Sequence, residues 1–181
     1  MKKIIMLLCG LLAICIDNVY GQLTLTPDGL TIDDGGDYIV LDFSDKSKEQ
    51  LFDNAHLFAG SNFVSPQDVI SVSGKEQITL NGVVSNIEWK NIMVQHCSVN
   101  FTITMLFKDG KIRINIPTIN SIHTSGAELY IVQSTVLLTD GIFKKNGKLY
   151  SAKTKSGIED FFNGFIKDLK EYIDQNKSED W

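Results

Sequence analysis

The chain has 181 residues, of which 43% are hydrophobic and 22% charged, with 14 Gly and only 3 Pro. This composition is that of an ordinary globular protein, and it excludes collagen-like, low-complexity and wholly disordered chains. The 17 basic side chains are outnumbered by 22 acidic ones, and the formal net charge of -5 repels nucleic acid and anionic lipid. The sequence therefore predicts a folded protein with no nucleic-acid partner.

The first 21 residues have the pattern of a secretory signal peptide. Lys2 and Lys3 precede an apolar run over residues 4–16, and cleavage after Gly21 would leave Gln22 as the first residue of the mature chain. The run is shorter than the roughly 20 apolar residues of a membrane-spanning helix, so a retained anchor is the less favoured interpretation. We therefore expect a secreted or periplasmic protein with no transmembrane segment in its mature chain.

The cysteines fit export without disulfides. Cys9 and Cys15 fall inside the predicted signal peptide, and the residues before them, Leu8 and Ile14, are larger than the small residue that precedes a lipid-modified cysteine. Lipoprotein anchoring is therefore not favoured. Cys97 would be the only thiol of the mature chain, so an internal disulfide is excluded and an ordinary hydrophobic core must hold the domain.

An N-terminal arm over residues 22–37 is predicted to lead into the first strand. The arm contains an alternating segment, Leu23–Thr26, followed by a Pro-Asp-Gly turn and the acidic loop 33–37. Residues 38–43 then have the pattern of a strand.

The first helix follows this strand and ends near Gly60. Ser47 and Gln50 have the spacing of a capping box, although Ser44 and Asp45 are also residues that cap helices. Five apolar residues recur at three- and four-residue intervals and give the helix one face to bury: Leu51, Phe52, Ala55, Phe58 and Ala59.

Four strand-like segments come next, at residues 68–73, 77–86, 99–107 and 111–117. Asp109-Gly110 is typical of a two-residue type I′ hairpin turn, in which both residues have positive φ. Such a turn sets Met105 opposite Ile114 and Leu106 opposite Arg113. One face of the hairpin is then apolar and the other mostly polar, so we expect helices on the first face and solvent on the second.

The last part of the chain ends in a long amphipathic helix. Within residues 120–155 we predict a strand over 128–138 and a hairpin over 143–150 around Asn146-Gly147. Ser156 and Glu159 have capping-box spacing at the start of the final helix. The polar residues 175–181 are predicted to be a flexible tail.

The order of the elements predicts an α+β fold. Strand, helix, about four strands and helix form an antiparallel sheet of four or more strands with two helices packed on one face. Residues 38–174 are predicted to form this single domain, because no repeat or long Pro-, Gly- or Ser-rich linker divides them.

Four segments of the chain resemble a known protein family. They are Asp37-Tyr38-Ile39-Val40, Phe52-Asp53-Asn54-Ala55, residues 65–72 and Lys108-Asp109-Gly110-Lys111-Ile112-Arg113. Over roughly residues 37–120 the chain resembles a family of secreted Bacteroidetes proteins, the domain of unknown function 4468. The resemblance implies a TATA-binding-protein-like fold and an exported location. It supplies no catalytic residues to carry over to this chain, and it does not imply DNA binding, because topology does not define function.

The polar face of the predicted sheet is the first candidate site. Its side chains could bind a peptide, a glycan or a partner protein, with Arg113 as the anchor for a carboxylate. The alternative is a solvated sheet face with no ligand. The candidate residues on this face are Asn100, Thr102, Thr104, Arg113 and Asn115.

The tract 87–94 is the second candidate, because aromatic residues and Met are enriched at interfaces. Trp89, Ile92 and Met93 are predicted to lie in a loop and to form an interaction patch. The alternative is that they fold back onto the core.

No catalytic motif is found among the nucleophiles and bases. His96 and Cys97 are neighbours on a predicted strand, so they point to opposite faces and do not form an activated pair. His56 and His123 stand alone, and the acidic loop 33–37 lacks the ligand pattern of a calcium site, so we expect no metal and no cofactor.

These patterns favour an exported, non-catalytic binding or structural module of the periplasm or cell envelope whose partner is a protein or glycan. One alternative is a secreted hydrolase with an unrecognised active site, for example acidic groups near Arg113. Another is an inhibitor of a secreted enzyme.

Overall fold

A computed structural model describes residues 21–33, 35–91, 94–134 and 140–176. The predicted signal peptide up to residue 20 and the tail residues 177–181 lie outside the described residues. The described strands are β1 (Leu23–Thr26), β2 (Gly29–Ile32), β3 (Tyr38–Asp42), β4 (Ile70–Ser73), β5 (Gln77–Asn91), β6 (Val94–Lys108), β7 (Lys111–Asn115), β8 (Thr118–Thr124), β9 (Glu128–Val132) and β10 (Gly141–Phe143). The described helices are α1 (Lys48–Asn62), α2 (Pro66–Val69) and α3 (Ala152–Gln175), and none of them is long and apolar enough to cross a membrane.

Strands β3 to β10 form one sheet in which β6 is central. The order is β10-β9-β8-β6-β5-β4, and β7 also pairs with β6 and carries β3 on its outer side. β8 pairs with residues 97–102 of β6, and β7 pairs with residues 105–108 of β6. Both strands therefore lie along the same edge of β6. Every pairing in this sheet is antiparallel except that of β10 with β9. The predicted α+β fold with an antiparallel sheet is confirmed.

Both long helices cover the apolar face of the sheet. The ring of Phe101 on β6 lies 5.1 Å from that of Phe161 and 5.5 Å from that of Phe162 on α3. The ring of Phe107 lies 5.4 Å from that of Phe52 on α1. The core therefore lies between the helices and this face, and none of the described helices lies on the opposite face.

The predicted capping box starts α1. Ser47 Oγ accepts a hydrogen bond from the Gln50 amide at 3.3 Å, and Gln50 Oε1 accepts one from the Ser47 amide at 2.9 Å. The five apolar residues predicted to form the buried face of this helix are all buried. The helix runs two residues past Gly60.

Helix α3 begins one turn earlier than its sequence predicts. The capping box at Ser156 and Glu159 is wrong, because the helix starts at Ala152 after Ser151. The hydroxyl of Thr154 bonds to that of Ser151 at 2.8 Å and donates to the carbonyl of Glu88 on β5 at 2.9 Å. This contact between distant parts of the chain fixes the first turn.

The predicted arm is a β-hairpin that packs against α3. Leu23 and Leu25 of β1 are fully buried. The Asn163 side chain accepts from the Leu23 amide at 2.8 Å and donates to the Leu23 carbonyl at 3.0 Å. Glu159 accepts from the Leu25 amide at 2.6 Å, which is the role that this carboxylate has in place of capping. Helix α3 is therefore held between the sheet and the hairpin.

The β6–β7 hairpin has the predicted register but a different turn. Leu106 pairs with Arg113 and Met105 with Ile114, as expected. The type I′ prediction is wrong, because Gly110 has φ +71° while Asp109 is not at positive φ. The turn is held by the chain before α1: the Gly110 carbonyl accepts from the Phe43 amide at 2.7 Å, and Asp109 Oδ1 accepts from the Lys48 amide at 2.8 Å.

Strands β8, β9 and β10 extend the sheet beyond β6. Residues 118–124 form β8, and β9 ends at Val132, earlier than the strand predicted over 128–138. Residues 135–139 lie outside the described residues. The predicted turn at Asn146-Gly147 is present, with Gly147 at φ +78° and a bridge between Phe143 and Leu149.

Candidate functional site: the polar face of the sheet

The side of the sheet opposite the helices carries mostly polar side chains, and we call it the polar face. Along β6 the alternation of buried and half-buried residues puts Asn100, Thr102 and Thr104 on this side, as predicted. β7 contributes Arg113, which is exposed, and Asn115, which is half-buried. The structure thus brings the five predicted residues onto one face.

A hydrogen-bond network crosses three strands at Thr102. The Thr102 hydroxyl donates to Asn81 Oδ1 on β5 at 2.8 Å and accepts from Asn120 Nδ2 on β8 at 3.0 Å. Asn120 reaches this position because β8 has a bulge where β6 passes from Asn100 to Phe101. Both amides are exposed, so a ligand could use their other hydrogen-bonding atoms.

A second network lies beside the first. Asn100 Nδ2 donates to Ser121 Oγ at 2.8 Å, and His123 Nε2 lies 2.9 Å from the same hydroxyl. His123 is exposed on β8. Because the imidazole is within reach of a serine hydroxyl, its tautomer decides which of the two groups donates.

Arg113 forms a separate group at the other end of the face. Its guanidinium carbon lies 4.0 Å from the centre of the Tyr38 ring, and its Nε donates to Asn115 Oδ1 at 3.0 Å. Tyr38 and Asn115 are paired across β3 and β7, so the strand register fixes this arrangement. The stack and the hydrogen bond orient the guanidinium, which is how a bidentate anchor for a carboxylate is prepared.

The network at Thr102 and the group around Arg113 lie along a strip of the sheet and do not enclose a pocket. Arg113 lies opposite Leu106, which is four residues along β6 from Thr102, or about 13 Å at about 3.3 Å per residue. Thr104 lies between them and pairs with Thr79 on β5. A surface of this length and shape suits an extended ligand better than a small molecule.

No described segment covers this strip. β8 and β9 continue the sheet sideways, and the side chains of Asn81, Val83 and Thr118 around the strip are exposed. Most side chains along the central strands are uncharged, and Arg113 has no carboxylate partner among the described residues. The face therefore offers hydrogen bonds and the oriented guanidinium of Arg113.

The prediction that Trp89 lies in a loop and forms part of an interaction patch is wrong. Trp89 lies in β5 and is only 2% exposed. Ser85 and Asn86 form a bulge opposite Ser98, with Asn86 at φ +65°, so the residues after the bulge change faces and Trp89 points into the core. The other two residues of the patch, Ile92 and Met93, lie outside the described residues.

Cys97 and His96 lie on opposite faces, as predicted. Cys97 is a buried free thiol, and burial raises its pKa to about 11, so the nucleophilic thiolate is not formed at neutral pH. His96 is exposed, with Nδ1 3.2 Å from the Asn86 carbonyl oxygen. His56 is exposed on α1 and stacks on Phe52. Across the described ranges no group of three His, Cys, Asp or Glu side chains could hold a metal ion.

Sequence reasoning missed four residues that complete the polar face: Tyr38, Asn81, Asn120 and Ser121. Asn81 had a usable pattern, because Gln77, Thr79 and Asn81 alternate with Ile78 and Leu80. Asn120 and Ser121 on β8 had no such sequence pattern, because their place on this face depends on a bulge in β8. Tyr38 required the β3–β7 pairing.

The geometry defines this protein as an α+β protein with helices on one face of an antiparallel sheet and an open opposite face. Residues 38–121 match the model of a family described as a domain of unknown function (DUF4468) with a TBP-like fold. The resemblance predicted from the sequence is therefore confirmed, and residues 38–121 are the part of the chain that this family describes.

Two crystal structures are similar to this fold. A DUF4468 family protein from Bacteroides ovatus has 15% identity and a TM-score of 0.52, covering 75% of this chain and 84% of that chain. A TBP-like protein from Parabacteroides distasonis has 13% identity and a TM-score of 0.53, covering 78% and 92%. Identities this low show the fold alone. A comparison with curated proteins finds no match.

Proposed function

We propose that this protein is an exported, non-catalytic binding module of the periplasm or cell envelope. The polar face of its sheet is the surface that contacts the partner, a protein or a glycan. The observation that carries the proposal is the strip from Asn81 through Thr102 to Arg113, which no segment within the described ranges covers. Export rests on the basic and apolar pattern of the first 21 residues.

The chemistry of the strip fits recognition better than catalysis. Amide and hydroxyl groups that already bond to one another are held in fixed positions, so they lose little entropy when a ligand binds. The oriented guanidinium of Arg113 adds a charge-assisted contact for a carboxylate of an acidic sugar or a peptide. The only described thiol, Cys97, is buried and protonated at neutral pH.

Titration with two probes tests the binding role. Soluble peptidoglycan fragments represent a glycan partner, and a neutral extended peptide with a free carboxylate represents a protein partner. We expect one of them to bind, and we expect Thr102→Val and Arg113→Ala each to weaken it by about tenfold, equivalent to about 1.4 kcal/mol. Lys167→Ala is the matched control, because Lys167 lies on the exposed side of α3. Unchanged affinity in both sheet variants would remove the polar face from the proposal.

Export has its own test. Cells that produce the full chain are fractionated, and the amino terminus of the protein in the envelope or periplasmic fraction is sequenced. We expect it to begin at Gln22. Protein that stays in the cytosol with residues 1–21 attached would contradict export and leave the binding test unaffected.

A further inference from the structure

A groove with aromatic walls runs between α1 and α3, on the side of the molecule away from the polar face. Its cavity volume is about 270 Å³. Phe58 and Phe63 line it from α1 and the residue after it, and Phe161 and Phe165 line it from α3. The rings of Phe58 and Phe165 meet edge to face at 5.5 Å, so the groove has a fixed floor.

Two carboxylates stand at this groove without a basic partner. Asp160 and Asp168 are two turns apart on α3, and both line the groove. Among the described residues neither forms an ion pair, and no lysine or arginine lines the groove; Asp160 Oδ2 accepts only a hydroxyl hydrogen bond from Ser156 at 3.2 Å.

The lysines of α3 are engaged elsewhere. Four ion pairs hold them, each with a carboxylate that does not line the groove: Lys153 with Glu88, Lys155 with Glu159, Lys167 with Glu171 and Lys170 with Asp174. The negative charge at the groove is therefore not neutralised by its own helix.

Gly164 keeps the groove open. It lies in the interior of α3, where glycine is the least favourable residue apart from proline. A Cβ at this position would meet nothing within 4 Å, so no close packing requires a glycine here. A larger side chain at position 164 would project into free space and fill the groove.

We propose that this groove binds the side chain of a lysine or arginine from an extended segment of a partner protein. The faces of phenylalanine rings attract a cation, and the carboxylates of Asp160 and Asp168 complement its charge. Leu57 precedes Phe58 in sequence and Val64 follows Phe63, and their side chains are 60% and fully exposed. Exposed apolar side chains at these positions are available to the residues that flank the cation, which favours a peptide over a free organic cation.

This site is independent of the proposed function, because it uses the helices and not the sheet. The test is a titration of the full protein with the peptide acetyl-Gly-Leu-Arg-Leu-Gly-amide, followed by amide chemical shifts. We expect saturable shifts centred on Gly164, and at least tenfold weaker binding of the same peptide with Gln in place of Arg. Shifts spread evenly over acidic surfaces, or equal binding of both peptides, would overturn the proposal.

Charge-matched variants separate the groove from general attraction to an acidic protein. Asp160→Asn with Asp168→Asn should weaken peptide binding at least tenfold. Asp28→Asn with Glu49→Gln changes the net charge equally at two exposed residues outside the groove, and it should change peptide binding less than twofold. If both pairs weaken binding equally, the effect is long-range attraction and the proposal fails.

Gly164→Leu provides a second variant that leaves the charges intact. It should abolish the localised shifts while the urea midpoint of unfolding stays at or above that of the parent protein. Unchanged peptide binding in this variant would place the ligand outside the groove. Tetramethylammonium chloride is the last probe. If this ion bound as tightly as the peptide, the ligand of the groove would be a small organic cation and the proposed protein segment would be wrong.

Discussion

Replacing Gly82 by alanine tests the register that builds the polar face. Gly82 pairs with Phe101 across β5 and β6, in the same register that sets Asn81 opposite Thr102. A Cβ at position 82 would stand 2.6 Å from Phe101 Cζ and 3.1 Å from two further ring atoms. The ring is 1% exposed and packs on α3, so it cannot move freely.

The expected cost follows from two opposing terms. Overpacking a filled core costs about 1–3 kcal/mol, whereas replacing a strand glycine by alanine returns about 0.5–1 kcal/mol. Gly82→Ala should therefore lower the free energy of unfolding by about 1 kcal/mol, within a range of about 0–2.5 kcal/mol. Urea denaturation followed by circular dichroism measures the change, with the slope of the transition unchanged.

A double-mutant cycle assigns this cost to the ring. Phe101→Leu removes the ring tip that alanine would strike, so Gly82→Ala in that background should become neutral or slightly stabilising. The coupling free energy should then equal the overpacking term, about 1–3 kcal/mol, which lies within the range for residues in contact. An equal loss from Gly82→Ala in both backgrounds would refute the reasoning, because the glycine would then be required for a reason other than Phe101.

Three further predictions concern α3, the hairpin and the thiol. Gly164→Ala should raise the free energy of unfolding by about 0.5–1 kcal/mol, because the added methyl group meets no neighbour. Gly157→Ala should lower the free energy of unfolding, because its Cβ would stand 2.9 Å from an Ile87 methyl group. Urea denaturation of the two variants measures both changes. Asn163→Ala should cost about 1–3 kcal/mol by removing both bonds to the Leu23 backbone, and amide hydrogen exchange at Leu23 should accelerate. Burial raises the pKa of Cys97 to about 11, so a thiol reagent at pH 8 should label the protein only as it unfolds. The free energy of unfolding should fall as pH rises from about 9 to about 11, because only the unfolded thiol ionises in that range. Labelling of the native protein at the rate of an exposed thiol would contradict this.

Local patterns predicted the parts of the fold that depend on neighbouring residues. The capping box at Ser47 needs only a serine and a glutamine three residues apart, and the structure has it. The alternation along β6 and the turn at Gly110 fixed which side of the sheet carries Thr104 and Arg113. These features depend on the two-residue period of a strand and on hairpin register.

Contacts between distant segments account for what the sequence could not predict. The start of α3 depends on the bond from Thr154 to the Glu88 carbonyl, 66 residues away. The burial of Trp89 depends on the bulge at Asn86, where one extra residue reverses which side each later residue faces. The position of the arm depends on Asn163, 140 residues from its partner. None of these has a local signature.

The polar face was predicted in outline and completed by the structure. The period of β6 and β7 found the five residues on them, but Tyr38 and Asn81 joined the face only through strand pairing. The stack of Tyr38 on Arg113 is a property of the β3–β7 register, which the sequence left open.

The central claim is that the polar face binds the partner. The most direct test maps the amide chemical shifts of the protein during two titrations, one with soluble peptidoglycan fragments and one with the neutral extended peptide. The account predicts that one of these probes shifts the amides of Asn81, Thr102, Thr104 and Arg113 in a saturable way and leaves those of α1 and α3 in place. Shifts confined to the helices, or no saturable shift on the sheet with either probe, would contradict it.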